Sequence, residues 1–491
     1  MTTFASGPTA STTTGQQTLA QELHSSPALN GAIATIVSEV RSKSARLTGP
    51  RGPVSPELKE TFESLMKRAA EVRGRGLLYP YLGSGLGNGA LVELVDGSVK
   101  WDMISGIGVH FFGHSDPGMI EAGVRGALND TVNHGNLQAN WDVYEFGETL
   151  LKLAQKNSKL AHVYPCTSGA MANENAIKVC YQKHAPASRV LAFKDCFMGR
   201  SVTMSQIGDA AANRVGLPLS TQVDYMPFYD PVMAQRMGQT RFIDMCVSHL
   251  TQYVERYPKQ HACFIFELMQ GEGGFNVGTR DYFKALMDVC KANNIAVWDD
   301  EIQTFGRSPR MFAYEYFDLG DYVDVFCVGK MTQVCATMFT RGYNPGPGLL
   351  SGTYVSGGTQ FATGTQVLNR LADPANGFYG DDGKFARHHR AFSEHARALI
   401  AKHPEWFPSA GKYGELGDLV GGVGGMMRFT PFGGDKDKVN KACKTLFDEG
   451  VIVFYCGHGP YHVRMLPPLP VFDEKDWGRV FECVERGLAK V

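Results

Sequence analysis

The stretch Ile295–Lys330, IAVWDDEIQTFGRSPRMFAYEYFDLGDYVDVFCVGK, constrains the fold more than any other part of the chain. An apolar run, Ile295–Trp298, leads straight into Asp299-Asp300-Glu301, and a second run, Val323–Val328, ends on Gly329-Lys330. Short apolar runs of this kind belong to parallel strands covered on both faces. Each run delivers charge at its carboxyl end, where open α/β sheets place their sites. An isolated carboxylate or ammonium is costly to bury, so both groups need partners there. The acidic cluster also reads as a helix cap or a metal site. Metal is disfavoured, because no histidine lies nearby and adjacent strand residues point to opposite faces. Lys330 is either a snorkelling lysine or a desolvated amine with a lowered pKa.

The rest of the chain supports an α/β reading. Strands alternate with helices from about Tyr164: His162–Pro165, Arg189–Phe193 and Cys263–Leu268 read as strands, and a helix starts at Thr279. Leu58–Val72 has helical spacing, and Asp116-Pro117 reads as a helix cap and first-turn proline. Beyond about Asp373 polar helices surround short strands, which predicts a smaller α+β domain. The expected organisation is a disordered or extended tail over 1–55, a segment packing with the small domain over 56–115, a large domain over 116–372 and a small domain over 373–491. Gly85-Leu86-Gly87-Asn88-Gly89-Ala90 matches the dinucleotide pattern GxGxxA. That fingerprint needs a helix after it. LVELVDGSVKWD follows instead, two short strands around an Asp96-Gly97 turn, so the run is expected to be a glycine-rich loop.

Composition excludes several classes. Of 491 residues, 43% are hydrophobic and 20% charged, with a net charge of −1, which gives no electrostatic footprint for nucleic acid or an acidic membrane. No stretch is long and apolar enough to predict a membrane span. Eleven cysteines make no CxxC pair, which predicts free thiols in a reducing compartment. The Ser/Thr/Gln-rich start lacks the basic and apolar regions of a signal peptide, so the expected location is cytoplasmic.

The chemistry-bearing residues follow the same topology. Ser168-Gly169-Ala170 opens a helix after a strand, where free N–H groups and a dipole end suit a phosphate. Phe197 could stack on a flat ring or simply close the core, and Arg200 could be a carboxylate clamp or a surface cation. A pyridoxal phosphate cofactor unites these groups, since its ring nitrogen wants an anion such as Asp300 and its aldehyde wants an amine such as Lys330. Gln303 could bond its phenolic oxygen.

Four ordered motifs carry a resemblance. GAMANENAIK resembles the SGAEANE turn of class III pyridoxal-phosphate aminotransferases, FELMQGEGG their EPxQGEGG, DDEIQTFGR their DEVQTGFGR, and VGK their strand-end lysine. GKMTQV is similar to GKKTQV of the lysine 6-aminotransferase branch. The resemblance runs from about Leu78 to the carboxyl terminus. It implies fold type I, with a large domain on a mostly parallel sheet, a smaller α+β domain, and a homodimer with shared active sites. It also implies residue roles. Lys330 bonds the cofactor and moves the proton, Asp300 and Gln303 hold the ring, Phe197 stacks on it, and Ser168, Gly169 and Ala170 bind phosphate. Glu272 is the gate that pairs with Arg464, which takes the α-carboxylate of glutamate, and Arg200 grips a distal carboxylate. Thr353, with Thr359 as the other choice, reaches the neighbouring phosphate. Leu91 and Met198 are expected to add apolar wall. The reading is an aminotransferase moving an amino group from an ω-amino acid or amine, lysine-like or 4-aminobutyrate-like, to 2-oxoglutarate. Its rivals are a same-fold aminomutase or decarboxylase, a pyruvate-using transaminase, and a catalytically silent scaffold.

Overall fold

The computed structural model describes residues 17–130, 133–408 and 418–491. Its centre is a seven-stranded sheet whose strands, in chain order, are β1 (Leu160–Cys166), β2 (Arg189–Phe193), β3 (Gln222–Met226), β4 (His261–Phe266), β5 (Ala296–Glu301), β6 (Val325–Val328) and β7 (Cys335–Thr340). The spatial order is β1-β7-β6-β5-β4-β2-β3. β7 runs antiparallel to both its neighbours, and the other pairs are parallel. Every residue of β4, β5 and β6 is buried. That explains their unbroken apolar runs, because helices cover both faces and no polar face is needed.

The helix Gly169–His184 packs against β6 and β7, and Arg280–Ala292 against β5. Arg280–Ala292 buries Tyr282, Phe283, Leu286, Met287 and Cys290, the stripe that its sequence spacing predicts. Two four-stranded sheets flank this centre. One holds Gly83–Asn88, Leu91–Leu94 and Val99–Asp102, with Val451–Ile452 parallel to the last. The other is antiparallel and runs Val420–Val423, Met426–Phe429, His462–Met465, Phe454–Cys456.

Two expectations need correction. The tail was expected to extend to residue 55, but Leu19–Ser25 and Pro27–Ser44 are helices. Thr18 and Gln21 form a reciprocal capping box, and Ser26 caps the second helix ahead of Pro27. Residues 1–16 lie outside the described residues. The glycine-rich run is a strand, Gly83–Asn88, rather than a loop. A Cβ at Gly87 would sit 2.3 Å from the His114 Cβ, so glycine is what lets the two segments touch. Leu91 and Met198 are 4% and 2% exposed and pack in the hydrophobic core. No helix among the described residues is long and apolar enough to cross a membrane.

Candidate active site

The site forms where β5 and β6 end side by side. Their parallel register sets Cys327 opposite Asp300 and Val328 opposite Glu301, so Lys330 emerges just beyond the acidic cluster. The cluster itself divides between the two faces of the sheet. Asp299 and Glu301 lie fully buried on one face, where burial raises both carboxyls: Asp299 with the repulsion of Glu301 added, and Glu301 to about 8 against the pull of the Ala313 and Tyr314 N–H groups and the Asp299 side chain. Asp300 faces the other way. Its carboxylate accepts from the Asn173 side-chain amide at 2.7 Å and the Ile302 N–H at 2.9 Å. Burial raises it to about 6, with those two donors and the Lys330 ammonium pulling the other way.

Lys330 opens a single turn, Lys330–Thr332, with φ of +53°, while Gln333 closes it at +62°. Two such residues within four, neither of them glycine, store backbone strain beside a reactive group. The Gln333 side chain ties the turn to the Val109 carbonyl at 3.1 Å. Desolvation lowers the Lys330 amine to about 8 against the attraction of Glu272, with Arg464 and Arg307 adding to the lowering. The lowered amine of this half-buried lysine fits the desolvated-amine reading.

Ser168 caps the helix Gly169–His184, its Oγ accepting from the Met171 N–H at 3.3 Å. The N–H groups of Gly169 and Ala170 are left pointing out of the first turn. Small residues are required around them. A Cβ at Gly199 would meet the Ala170 Cβ at 2.8 Å, and one at Gly169 would meet Ile302 at 2.9 Å. Phe197 is half-buried, its N–H donating to Glu267 at 3.0 Å. The exposed Arg200 lies with its guanidinium 5.3 Å from the Phe197 ring.

Arg464 is delivered by the C-terminal sheet from the strand His462–Met465, and its side chain is wholly buried. Its guanidinium grips Glu272 with two bonds of 2.7 and 2.9 Å and reaches the Gln303 side-chain Oε1 at 3.4 Å. Burial raises the Glu272 carboxyl, but the Arg464 charge outweighs it and holds the group below its ordinary value. The structure thus brings Lys330, Asp300, Gln303, Glu272 and Arg464 into one electrostatic cluster. Thr353 is different: it is exposed on a segment whose next strand, Ser356–Gly357, pairs with Asn133–His134.

Sequence reasoning missed three residues. Asn173 joins Asp300 to the Met198 carbonyl, and the ANE that follows the phosphate-type turn was the signal for it. Glu267 takes the N–H groups of Phe197 and Gly271, and burial pushes its carboxyl up to about 8. Arg307 is buried and bonds the carbonyls of Gln303 and Gly108, which no local pattern announces.

The family model of the class III aminotransferases matches residues 84–340. The chain belongs to the class III aminotransferases. It is therefore a pyridoxal-phosphate-dependent aminotransferase of the α/β fold that this family shares. It is 29% identical over 251 residues to an acetylornithine aminotransferase of Methanocaldococcus jannaschii, an alignment covering 50% of this chain and 56% of that one. It is 25% identical over 410 residues to a diaminobutyrate–2-oxoglutarate transaminase of Marinococcus halophilus, covering 80% of this chain and 87% of that one. A lysine aminotransferase structure from M. tuberculosis superposes with a TM-score of 0.71 at 20% identity, covering 87% of this aminotransferase and 99% of that chain. The residues at the carboxyl ends of β5 and β6 fit the family's cofactor, because a buried carboxylate, a half-buried amine and a helix amino terminus converge there.

Proposed function

We propose that this aminotransferase moves an amino group from an ω-amino acid or amine to 2-oxoglutarate, using both carboxylates of glutamate to hold the second substrate. The observation that carries this reading is the doubly bonded Arg464–Glu272 pair inside the Lys330 cluster. With Glu272 engaged, Arg464 is neutral to a donor that has no carboxylate near its reacting carbon. With Glu272 withdrawn, the same guanidinium becomes a fork for an α-carboxylate. Arg200, exposed next to Phe197, takes the distal carboxylate. One pocket then serves two substrates of different charge.

Bound at this site, pyridoxal phosphate supplies the electron sink for the carbon that loses its proton. The residues of this chain do the rest. Lys330 holds the cofactor through its amine and carries a proton at Nζ, a task that suits an amine lowered to about 8. Asp300, oriented by Asn173, keeps the ring nitrogen protonated. Gln303 bonds the phenolic oxygen, Phe197 lies on the ring, and Ser168 with the N–H groups of Gly169 and Ala170 holds the phosphate. Thr353 reaches the phosphate of a second copy in a homodimer, a role that its exposure supports, whereas Thr359 is half-buried in the first turn of the helix Gly358–Ala372.

The test is the absorption spectrum of the purified holoprotein in L-glutamate. The cofactor band shifts on adding glutamate and returns on adding 2-oxoglutarate if the reading holds. A holoprotein that ignores glutamate but responds to L-alanine would transfer the acceptor role to pyruvate and remove the role given to Arg464.

A further inference from the structure

Three segments converge at the site, each carrying one of the residues assigned above to substrate. Lys194–Arg200 carries Phe197 and Arg200, Gln270–Gly274 carries Glu272, and the hairpin between Phe454–Cys456 and His462–Met465 leads into Arg464. If the Glu272 side chain is to leave Arg464, the cross-domain bond joining these segments is lost. Something else has to keep them in register.

Asp195 sits at the meeting point. Its backbone has φ of +60°, a conformation disfavoured for any residue but glycine, asparagine or aspartate. Its N–H donates to Asp209 at 3.0 Å, and its carbonyl oxygen lies 2.7 Å from where a Cβ on Gly273 would be. The neighbouring Lys194 carbonyl accepts from Gln270 at 2.6 Å. The Asp195 carboxylate then reaches across to His458 Nδ1 at 3.2 Å, and the N–H of the preceding Gly457 donates to the Glu272 carbonyl at 2.9 Å. The ion pair of Asp195 with Lys194, 3.4 Å long, stays within one segment and joins nothing. His458 is exposed, and the other histidine of the hairpin, the buried His462, is committed to Thr430 at 2.7 Å.

We infer that His458 and Asp195 form a latch that holds the C-terminal hairpin and the Glu272 backbone in place while the Glu272 side chain swings away from Arg464. His458 is thus a positioning residue, and the inference rests on the two-mode reading of Arg464. The Gly457 bond to the Glu272 main chain is indifferent to where that side chain points. The Asp195–His458 bond fixes the hairpin that presents Gly457. Substrate exchange then needs one side chain to turn rather than one domain to detach.

The experiment uses the holoenzyme with His458→Ala and His458→Asn, the second placing an amide donor near the position of Nδ1. Hydrogen–deuterium exchange is followed in peptides spanning 270–274 and 456–461, and steady-state kinetics are measured with L-glutamate. The expected result for His458→Ala is faster exchange in both peptides and a KM for glutamate raised about fivefold with kcat changed by less than about twofold. His458→Asn is expected to restore both. Wild-type exchange and wild-type KM in His458→Ala overturn the latch. So does a kcat loss with unchanged KM that asparagine does not rescue. A wild-type enzyme that does not react with glutamate overturns the two-mode reading instead, and the exchange data alone then decide whether the latch exists.

Discussion

Replacing Glu272 with glutamine should destabilise the protein and make it respond to dicarboxylates more strongly than the wild type does. Arg464 has no exposed side-chain surface, and its Nε has no partner, so its charge is compensated through Glu272 alone among the described carboxylates bonded to it. Breaking a buried pair by removing one charge costs about 3–5 kcal/mol, because the survivor stays buried and unpaired. Glutamine keeps one acceptor for the guanidinium and Glu272 is itself 24% exposed, which places the loss near the lower end, about 3 kcal/mol. Unfolding entropy for a chain of this length is on the order of 1 kcal/mol per degree, so the melting temperature should fall by roughly 3 °C. The pH dependence has a definite sign. The folded pKa of Glu272 lies below its unfolded value, so its contribution is fully present above about pH 5 and is lost as pH falls through the folded pKa. The gap between wild type and Glu272→Gln is therefore constant near neutrality and closes in acid. Glutarate, which offers Arg464 a replacement carboxylate, should raise the melting temperature of the variant more than that of the wild type. A variant as stable as wild type at pH 7, with the same response to glutarate, would refute the argument that Arg464 is held in reserve by Glu272.

Three further outcomes follow from the same structure. Cofactor uptake by apoprotein needs the neutral Lys330 amine, so its rate should climb about tenfold per pH unit below 8 and flatten above it; a rate still climbing steeply at pH 10 would show an ordinary lysine. The buried Asp299–Glu301 pair keeps its protons in the folded state while the unfolded chain releases them, so this pair lowers stability as pH rises from about 5 to 8. Asp299→Asn should therefore gain stability over wild type across that window, measured as chemical denaturation midpoints at several pH values. Gly113 has φ of +69° and would set a Cβ 2.3 Å from the Gly89 carbonyl oxygen, so Gly113→Ala should cost about 2 kcal/mol or more and loosen the Gly89–His114 bridge, read by calorimetry and by exchange at those amides.

What was legible in the sequence is what local rules control. β5 and β6 could be read because parallel strands covered on both faces need continuous apolar runs, and their carboxyl ends then fix where Asp300 and Lys330 emerge. The Thr279 and Asp116 caps were readable for the same reason, since each satisfies its own helix within three residues. The helices at Leu19–Ser44 were hidden by composition: they bury only Ile33 and Ser44, so no apolar stripe marks them and their caps are the sole sign. The strand Gly83–Asn88 was hidden because glycine is depleted in strands, and the reason for it here is a neighbour, His114, that only the fold supplies. Arg307 and the His458–Asp195 contact show the same limit in the site itself. Arg307 bonds a carbonyl 199 residues away, and His458 meets Asp195 across 263 residues. Periodicity and capping act over a few residues, so they locate the groups that elements carry to their ends. They cannot locate groups whose only reason is a partner from another part of the chain. That is why the acid and the amine of this site could be named from the sequence, while the contacts that hold its loops in register could not.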